Sequence, residues 1–140
     1  MRLFVDTWGW ITLANKREAQ HVVVSRFLDH FWNQGGVTYT SDYVLDETIT
    51  LLFRWLPFEI AQAGMERIEK AAQEGYLRQE RITQERFEKA KRLRLKFRDK
   101  PLISFTDLTS MIVMQERRLK QILTEDDHFT HVGMGLERVP

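Results

Sequence analysis

Short apolar runs alternate along this chain with longer segments of helical period, and that alternation leaves few folds open. The runs at residues 2–5, Val37 to Thr40, Tyr76 to Arg78, Gln121 to Thr124 and, more weakly, Leu136 to Val139 read as strands. Between the first two, residues 18–33 place His21, Val24, Phe27, Leu28 and Phe31 at three- and four-residue steps, as one face of a helix does. Segments 42–56, 58–74, 83–98 and 106–119 repeat the pattern, and a further helix is expected to begin near Trp8. Pro57 stands where one helix should stop and the next begin, because proline is tolerated in a first turn and breaks an interior. Gly35-Gly36 and Gly75 mark turns. Strands separated by helices are parallel strands joined by crossovers. With no internal repeat, linker or low-complexity tract, the expectation is one α/β domain over residues 1–140, a parallel sheet of four to five strands flanked by helices.

Composition narrows the setting. Apolar residues make up 43% and charged residues 29%, the balance of an ordinary soluble protein with its own core. There is no cysteine, which excludes a disulfide framework and a thiolate zinc site and suits a reducing cytoplasm. No signal-like segment precedes Arg2-Leu3-Phe4-Val5, and no apolar stretch approaches the ~20 residues that span a bilayer, so a cytoplasmic protein with no membrane partner is expected. The net charge of +1 is unevenly placed: residues 78–100 hold ten Lys/Arg against four acids. On a helical wheel Arg86, Lys89 and Lys96 form a cationic stripe, extended by Lys100, while Phe87, Ala90, Leu93 and Phe97 form a packed face. Such a stripe is a candidate phosphate-binding surface, and a solvated helix face is its plain alternative. Trp8, Trp10, Trp32 and Trp55 are expected in the core.

Three of the strand-like runs end with a hydroxyl residue and an acid: Phe4-Val5-Asp6-Thr7, Tyr39-Thr40-Ser41-Asp42 and Ile122-Leu123-Thr124-Glu125-Asp126. In open parallel sheets the ligand crevice lies outside the carboxyl ends of the strands, so these acids share an edge. On the wheel of residues 42–56, Glu47 and Asp46 flank opposite borders of a broad apolar arc, and either could sit at a helix–sheet seam. Asp107 opens another helix, where the helix dipole favours a carboxylate. Clustered carboxylates repel one another and call for a cation, and hard oxygen ligands select Mg²⁺ or Mn²⁺. Such a constellation processes phosphates.

In four places these residues resemble the PIN-domain nucleases, in particular the VapC-like toxins of prokaryotic toxin–antitoxin pairs. Leu3-Phe4-Val5-Asp6-Thr7 is similar to the family's opening strand and first acid. The segment from Ser41 to Thr48 resembles the stretch bearing the second, which favours Glu47 over Asp46. Ile103-Ser104-Phe105-Thr106-Asp107 resembles the approach to the third. The run from Ile122 to Phe129, with Gly133 after it, resembles the closing strand and its acid-x-His-Phe segment, giving Asp126, although Glu125 and Asp127 flank it. The resemblance implies a PIN-like fold and a ribonuclease whose Mg²⁺ or Mn²⁺ is held by Asp6, Glu47, Asp107 and Asp126, with carboxyl groups expected within a few ångströms of a common point. Thr7, Thr106 and Thr124 would orient carboxylates or waters from behind, and Arg86, Lys89 and Lys96 would meet RNA. It also implies a small antitoxin partner and a homodimer.

Simpler roles exist for each acid alone. Asp6 can cap the helix after it, and Ser104-x-x-Asp107 has capping-box spacing. Glu47 suits a helix surface, Asp126 a turn and His128 a loop, since no second histidine stands four residues on to make a zinc pair. One acidic site replaces four separate explanations. A phosphoacceptor receiver domain fits less well: it expects paired acids after the first strand and a lysine after a late one, whereas Asp6 stands alone and Thr124 is followed by acids. The remaining alternative is a non-catalytic RNA-binding or protein-interaction module on the same fold.

Overall fold

A computed structural model describes all residues, Met1–Pro140. Five parallel strands, β1 (Arg2–Val5), β2 (Val37–Ser41), β3 (Leu77–Glu80), β4 (Gln121–Leu123) and β5 (Glu137–Val139), form one sheet in the order β3-β2-β1-β4-β5. Six helices connect them: α1 (Thr7–Ala14) and α2 (His21–Asn33), α3 (Asp42–Trp55) and α4 (Phe58–Gln73), α5 (Gln84–Lys96) and α6 (Phe105–Arg117). A short 3-10 turn, Asp127–His131, precedes β5. The chain starts in the middle of the sheet, builds outward through β2 and β3, then returns to the other side of β1 for β4. That reversal opens a crevice outside the carboxyl ends of β1 and β4.

The central strands carry the core. Leu3, Phe4, Val5, Ile122 and Leu123 are wholly buried, as strands covered on both faces must be. Helix α6 is buried continuously from Leu108 to Met114, the mark of a helix enclosed on all sides. Helices α1 to α4 pack on one another, and α5 packs on α6. At Gly9 a Cβ would stand 2.8 Å from Val5 Cγ1 and 3.0 Å from Leu123 Cδ2, so only glycine lets α1 lie this close over β1 and β4.

Local chemistry sets the boundaries. Ser41, Thr83 and Ser104 cap α3, α5 and α6 by accepting the amides of Val44, Arg86 and Asp107. Pro57 occupies the cap position of α4, and Leu56 before it is extended. Gly35 and Gly75 take φ of +83° and +84° after α2 and α4, where a side chain would be strained. Helix α2 begins at His21 instead of residue 18, and β3 runs to Glu80 beyond the expected Arg78. Helix α6 stops at Arg117 because Arg118 turns left-handed with φ 56°.

The cationic stripe of α5 does not survive folding. Arg86 lies four residues before Ala90 and seven before Leu93, in line with the packed face, and is itself buried. Its guanidinium donates to Glu116 at 2.8 Å and to the Arg81 carbonyl at 2.8 Å, and stands 3.6 Å from Glu80. Lys89 is paired to Glu116 at 2.6 Å. Burial alone would raise the Glu116 carboxyl, yet Lys89 and Arg86 together hold it below the usual carboxylate range. Both cations are spent on joining α5 to α6 and β3, and Arg94 is spent likewise on the carbonyls of Ile103, Phe97 and Lys100. Lys96 alone of the three stripe residues stays free, over the ring of Phe97 at 5.8 Å. Trp55 is corrected as well: Trp10 is core, but Trp55 is 61% exposed because it ends α3 beyond the reach of the sheet.

Candidate active site

Asp6, Glu47, Asp107 and Asp126 line one cavity of about 580 Å³ at the carboxyl ends of β1 and β4. Each comes from a different element. Asp6 follows β1 at the head of α1; its carbonyl accepts the amides of Gly9 and Trp10, and its own amide donates to Leu123 O at 3.1 Å. The capping alternative fails for its side chain, which bonds no helix amide further along. Asp6 Oδ2 instead accepts from Thr124 Oγ1 at 3.0 Å, and the Thr7 amide also bonds the carboxylate. Thr124 accepts in turn from the Asp126 amide at 3.1 Å, so one hydroxyl ties the two strand-end acids together.

Asp126 begins the 3-10 turn, and its Oδ1 accepts from the His128 amide at 2.8 Å with the His128 ring 3.2 Å away. Of its neighbours, Asp127 turns off to Arg138 at 2.9 Å, while Glu125 reaches the rim of the cavity. On α3, Glu47 faces the cavity and Asp46 is exposed elsewhere, which decides between them. Asp42, despite ending β2, points its carboxylate at the Ile82 amide 2.9 Å away and takes no part. For Asp107, Ser104 Oγ accepts the Asp107 amide at 3.0 Å, but the Ser104 amide does not return the bond to the carboxylate. Half of the capping box is therefore present, and the acid faces the cavity.

The electrostatics mark these groups as one cluster. Burial pushes the Asp6 carboxyl from 3.8 up to about 6, against the Thr7 and Thr124 hydrogen bonds, with Glu47 and Asp126 adding repulsion. Burial likewise pushes Asp107 to about 7, helped by Asp6, Asp126 and Glu47. Desolvation is the larger cause in both, ahead of mutual repulsion. The four carboxyl groups line this one cavity, and no three acidic or imidazole groups stand in ion-holding geometry. An all-carboxylate donor set around such a space suits a hard cation that retains waters and reaches protein oxygens through them, as Mg²⁺ does.

The hydroxyl expectations divide. Thr124 bonds a carboxylate. Thr7 Oγ1 is turned to α3, donating to Val44 O and accepting from Thr48 Oγ1, both at 3.4 Å, because the buried seam between α1 and α3 needs its polar groups paired. Thr106 does not line the cavity; Ser104 stands there in its place, as the cap of α6. Sequence reasoning also missed Asn15 and Trp55, which line the far end. Helical spacing was the available signal for Trp55, since Glu47, Leu51 and Trp55 follow one another at four-residue steps on α3.

The PIN domain profile matches residues 3–134. The chain is 31% identical over 132 residues to a Mycobacterium tuberculosis protein described as the 23S rRNA-specific endonuclease VapC20, covering 94% of each. The crystal structure of that VapC20, described as a Sarcin-Ricin loop cleaving toxin, superposes with a TM-score of 0.75 at 31% identity over 94% of this chain and 95% of that one. VapBC2 from Rickettsia felis, solved bound to a DNA fragment from their promoter, superposes with a TM-score of 0.72 at 16% identity over 99% of this chain and 98% of that one, a likeness of fold alone.

Proposed function

This chain belongs to the PIN-domain family, and from that premise we propose that it is a divalent-metal-dependent ribonuclease hydrolysing RNA phosphodiester bonds at Asp6, Glu47, Asp107 and Asp126. The observation that carries the reading is that four acids from four elements line one cavity, where burial first and the neighbouring acids second push the carboxyls of Asp6 and Asp107 up. A buried carboxylate without a partner is costly, and a fold that keeps several together does so for a cation or a reaction.

Those four acids would hold the Mg²⁺ or Mn²⁺, and the ion supplies neutralisation of charge on the transferring phosphate. The protein's own part is positioning. Thr124 and the Thr7 amide fix the Asp6 carboxylate, the His128 amide fixes that of Asp126, and the strand ends on which they stand are held by the β1–β4 ladder. Lys96, left free on α5, remains a candidate contact for RNA outside the cavity. The wider role is that of the toxin of a toxin–antitoxin pair, with a small antitoxin as partner and a homodimer as assembly, in a cytoplasmic setting. Identity of 31% over nearly the whole of a relative described as an RNA-cleaving toxin supports this. No helix is long and apolar enough to cross a membrane.

The test is cleavage of purified ribosomal RNA and of a synthetic RNA stem-loop with Mg²⁺, with Mn²⁺ and with a chelator. Discrete fragments in either metal, none with chelator and none from Asp6→Asn are expected. Intact RNA under every condition, with RNA binding retained, would return the chain to a non-catalytic module.

A further inference from the structure

Three acids follow Thr124 in a row, and the cavity takes them unequally. Asp126 lines it and Glu125 reaches its rim, whereas Asp127 is turned away. Glu125 and Asp126 lie beyond the end of β4 and Asp127 opens the 3-10 turn, so no strand ladder decides which carboxylate faces inward. Asp126 and Asp127 carry the same group on the same stem, and what separates them is their partners. Asp126 accepts the His128 amide. Asp127 Oδ1 stands 2.9 Å from Arg138 Nη1, and the same nitrogen donates to the Glu125 carbonyl at 3.0 Å. A terminal guanidinium nitrogen carries two N–H groups, so both bonds are made at once. Arg138 thus holds the residue before Asp126 by its backbone and the residue after it by its side chain, and does not line the cavity itself. Its own place is set by the sheet: on β5 it pairs in register with Ile122, beside the strand from which the three acids emerge.

We propose that Arg138 is a positioning residue for the acidic site, drawing Asp127 outward so that Asp126 is the member of the row presented to a divalent cation. The proposal rests on the metal-dependent ribonuclease reading and adds to it a residue from the edge strand. With Arg138 removed, Asp127 is free to swing towards a cavity that already holds Asp6, Glu47, Asp107 and Asp126. There it would repel its neighbours and compete with Asp126 for the ion. The pair is exposed, with 43% of the Arg138 side chain and 65% of the Asp127 side chain open, so it adds little to stability. What the guanidinium contributes is direction, because its N–H groups lie in a rigid planar fork that fixes the angle of each bond as well as its length.

The experiment titrates Mn²⁺ into metal-free protein, the free ion followed by electron paramagnetic resonance, with melting curves on the same samples. Arg138→Gln should weaken Mn²⁺ binding roughly tenfold, the lower end of what partners behind metal ligands contribute, with the metal-free melting temperature unchanged. Arg138→Lys, which keeps the charge without the fork, should fall between that variant and the parent. Asp127→Asn alone should bind Mn²⁺ as the parent does, since the acid is held outside the cavity. In the Asp127→Asn background the same Arg138→Gln change should cost less than roughly threefold, because no stray carboxylate remains to compete. An equal loss in both backgrounds would mean that Arg138 only braces the loop at the Glu125 carbonyl, and would overturn the sorting of the acids. A lowered metal-free melting temperature with Mn²⁺ affinity intact would make the pair an ordinary structural one and overturn it too. So would unchanged affinity in every variant of a parent that binds the ion. Parent protein that binds no Mn²⁺ would overturn the metal-dependent reading itself.

Discussion

Asp6 is 7% exposed and carries a carboxyl that burial has moved to about 6, while Asp107 has been moved to about 7. Because the folded protein holds both protons more tightly than the unfolded chain, the stability they add is complete below the ordinary 3.8 and is lost as pH rises through about 6 and about 7. Metal-free protein should therefore lose melting temperature between pH 4 and pH 7.5 or so, and Asp107→Asn should flatten that loss. At pH 7.5 Asp6→Asn should leave the fold intact or raise its stability by up to about 3 kcal/mol while abolishing cleavage. Scanning calorimetry across the pH series checks both; an Asp6→Asn protein that unfolds would make this acid structural. That Asp6 and Asp126 would stand at the carboxyl edge of the sheet was legible because each closes an apolar run with a hydroxyl beside it. That Thr124 would serve both acids was legible only as a residue type, since its two bonds depend on the register of β1 against β4.

At the scale of elements, the clearest lesson is α5. Its charge suggested a surface for phosphate, and the wheel reading set Arg86 on that stripe although its spacing aligns it with Ala90 and Phe97. What spacing could not supply was the partner: Glu116 is 30 residues away, on α6. A buried guanidinium is tolerable only when paired, and removing one side of such a pair strands the other. Arg86→Met should thus cost about 1–3 kcal/mol in urea denaturation, since Glu116 keeps only Lys89 and Glu80 only Arg117, whereas Lys96→Gln should leave stability unchanged. Equal, negligible losses would mean that the network contributes nothing. Gly9 is the second element-level constraint. Gly9→Ala would drive a methyl into Val5 and Leu123, tilting α1 off the sheet at an expected cost of about 1–3 kcal/mol and with reduced cleavage, since Asp6 heads the same helix.

For the whole molecule, strand order decides where chemistry can occur. The switch between outward and return halves lies at β1 and β4, and the strand-like runs with their helical separators were sufficient to anticipate a parallel sheet with a site at its carboxyl edge. The far end of the cavity was hidden, because it exists only where α1 and α3 come together. Addition of Mg²⁺ at about a hundred times its dissociation constant should raise the melting temperature by roughly 5–10 °C, since an ion bound only by the folded state stabilises it by mass action. The gain should vanish in Glu47→Gln and Asp126→Asn proteins. No gain in the unaltered protein would remove the metal from the proposal.

The same β1–β4 neighbourhood sets a condition on synthesis. Asp6 is made 118 residues before Thr124, yet the carbonyl that holds its amide, the hydroxyl that holds its carboxylate and the acid opposite all belong to residues 123 to 126. A growing chain cannot make those bonds until β4 has emerged, and any fragment ending before β4 lacks them altogether. An RNA-cutting protein made on an RNA machine would in this way have its acid site incomplete until β4 has left that machine.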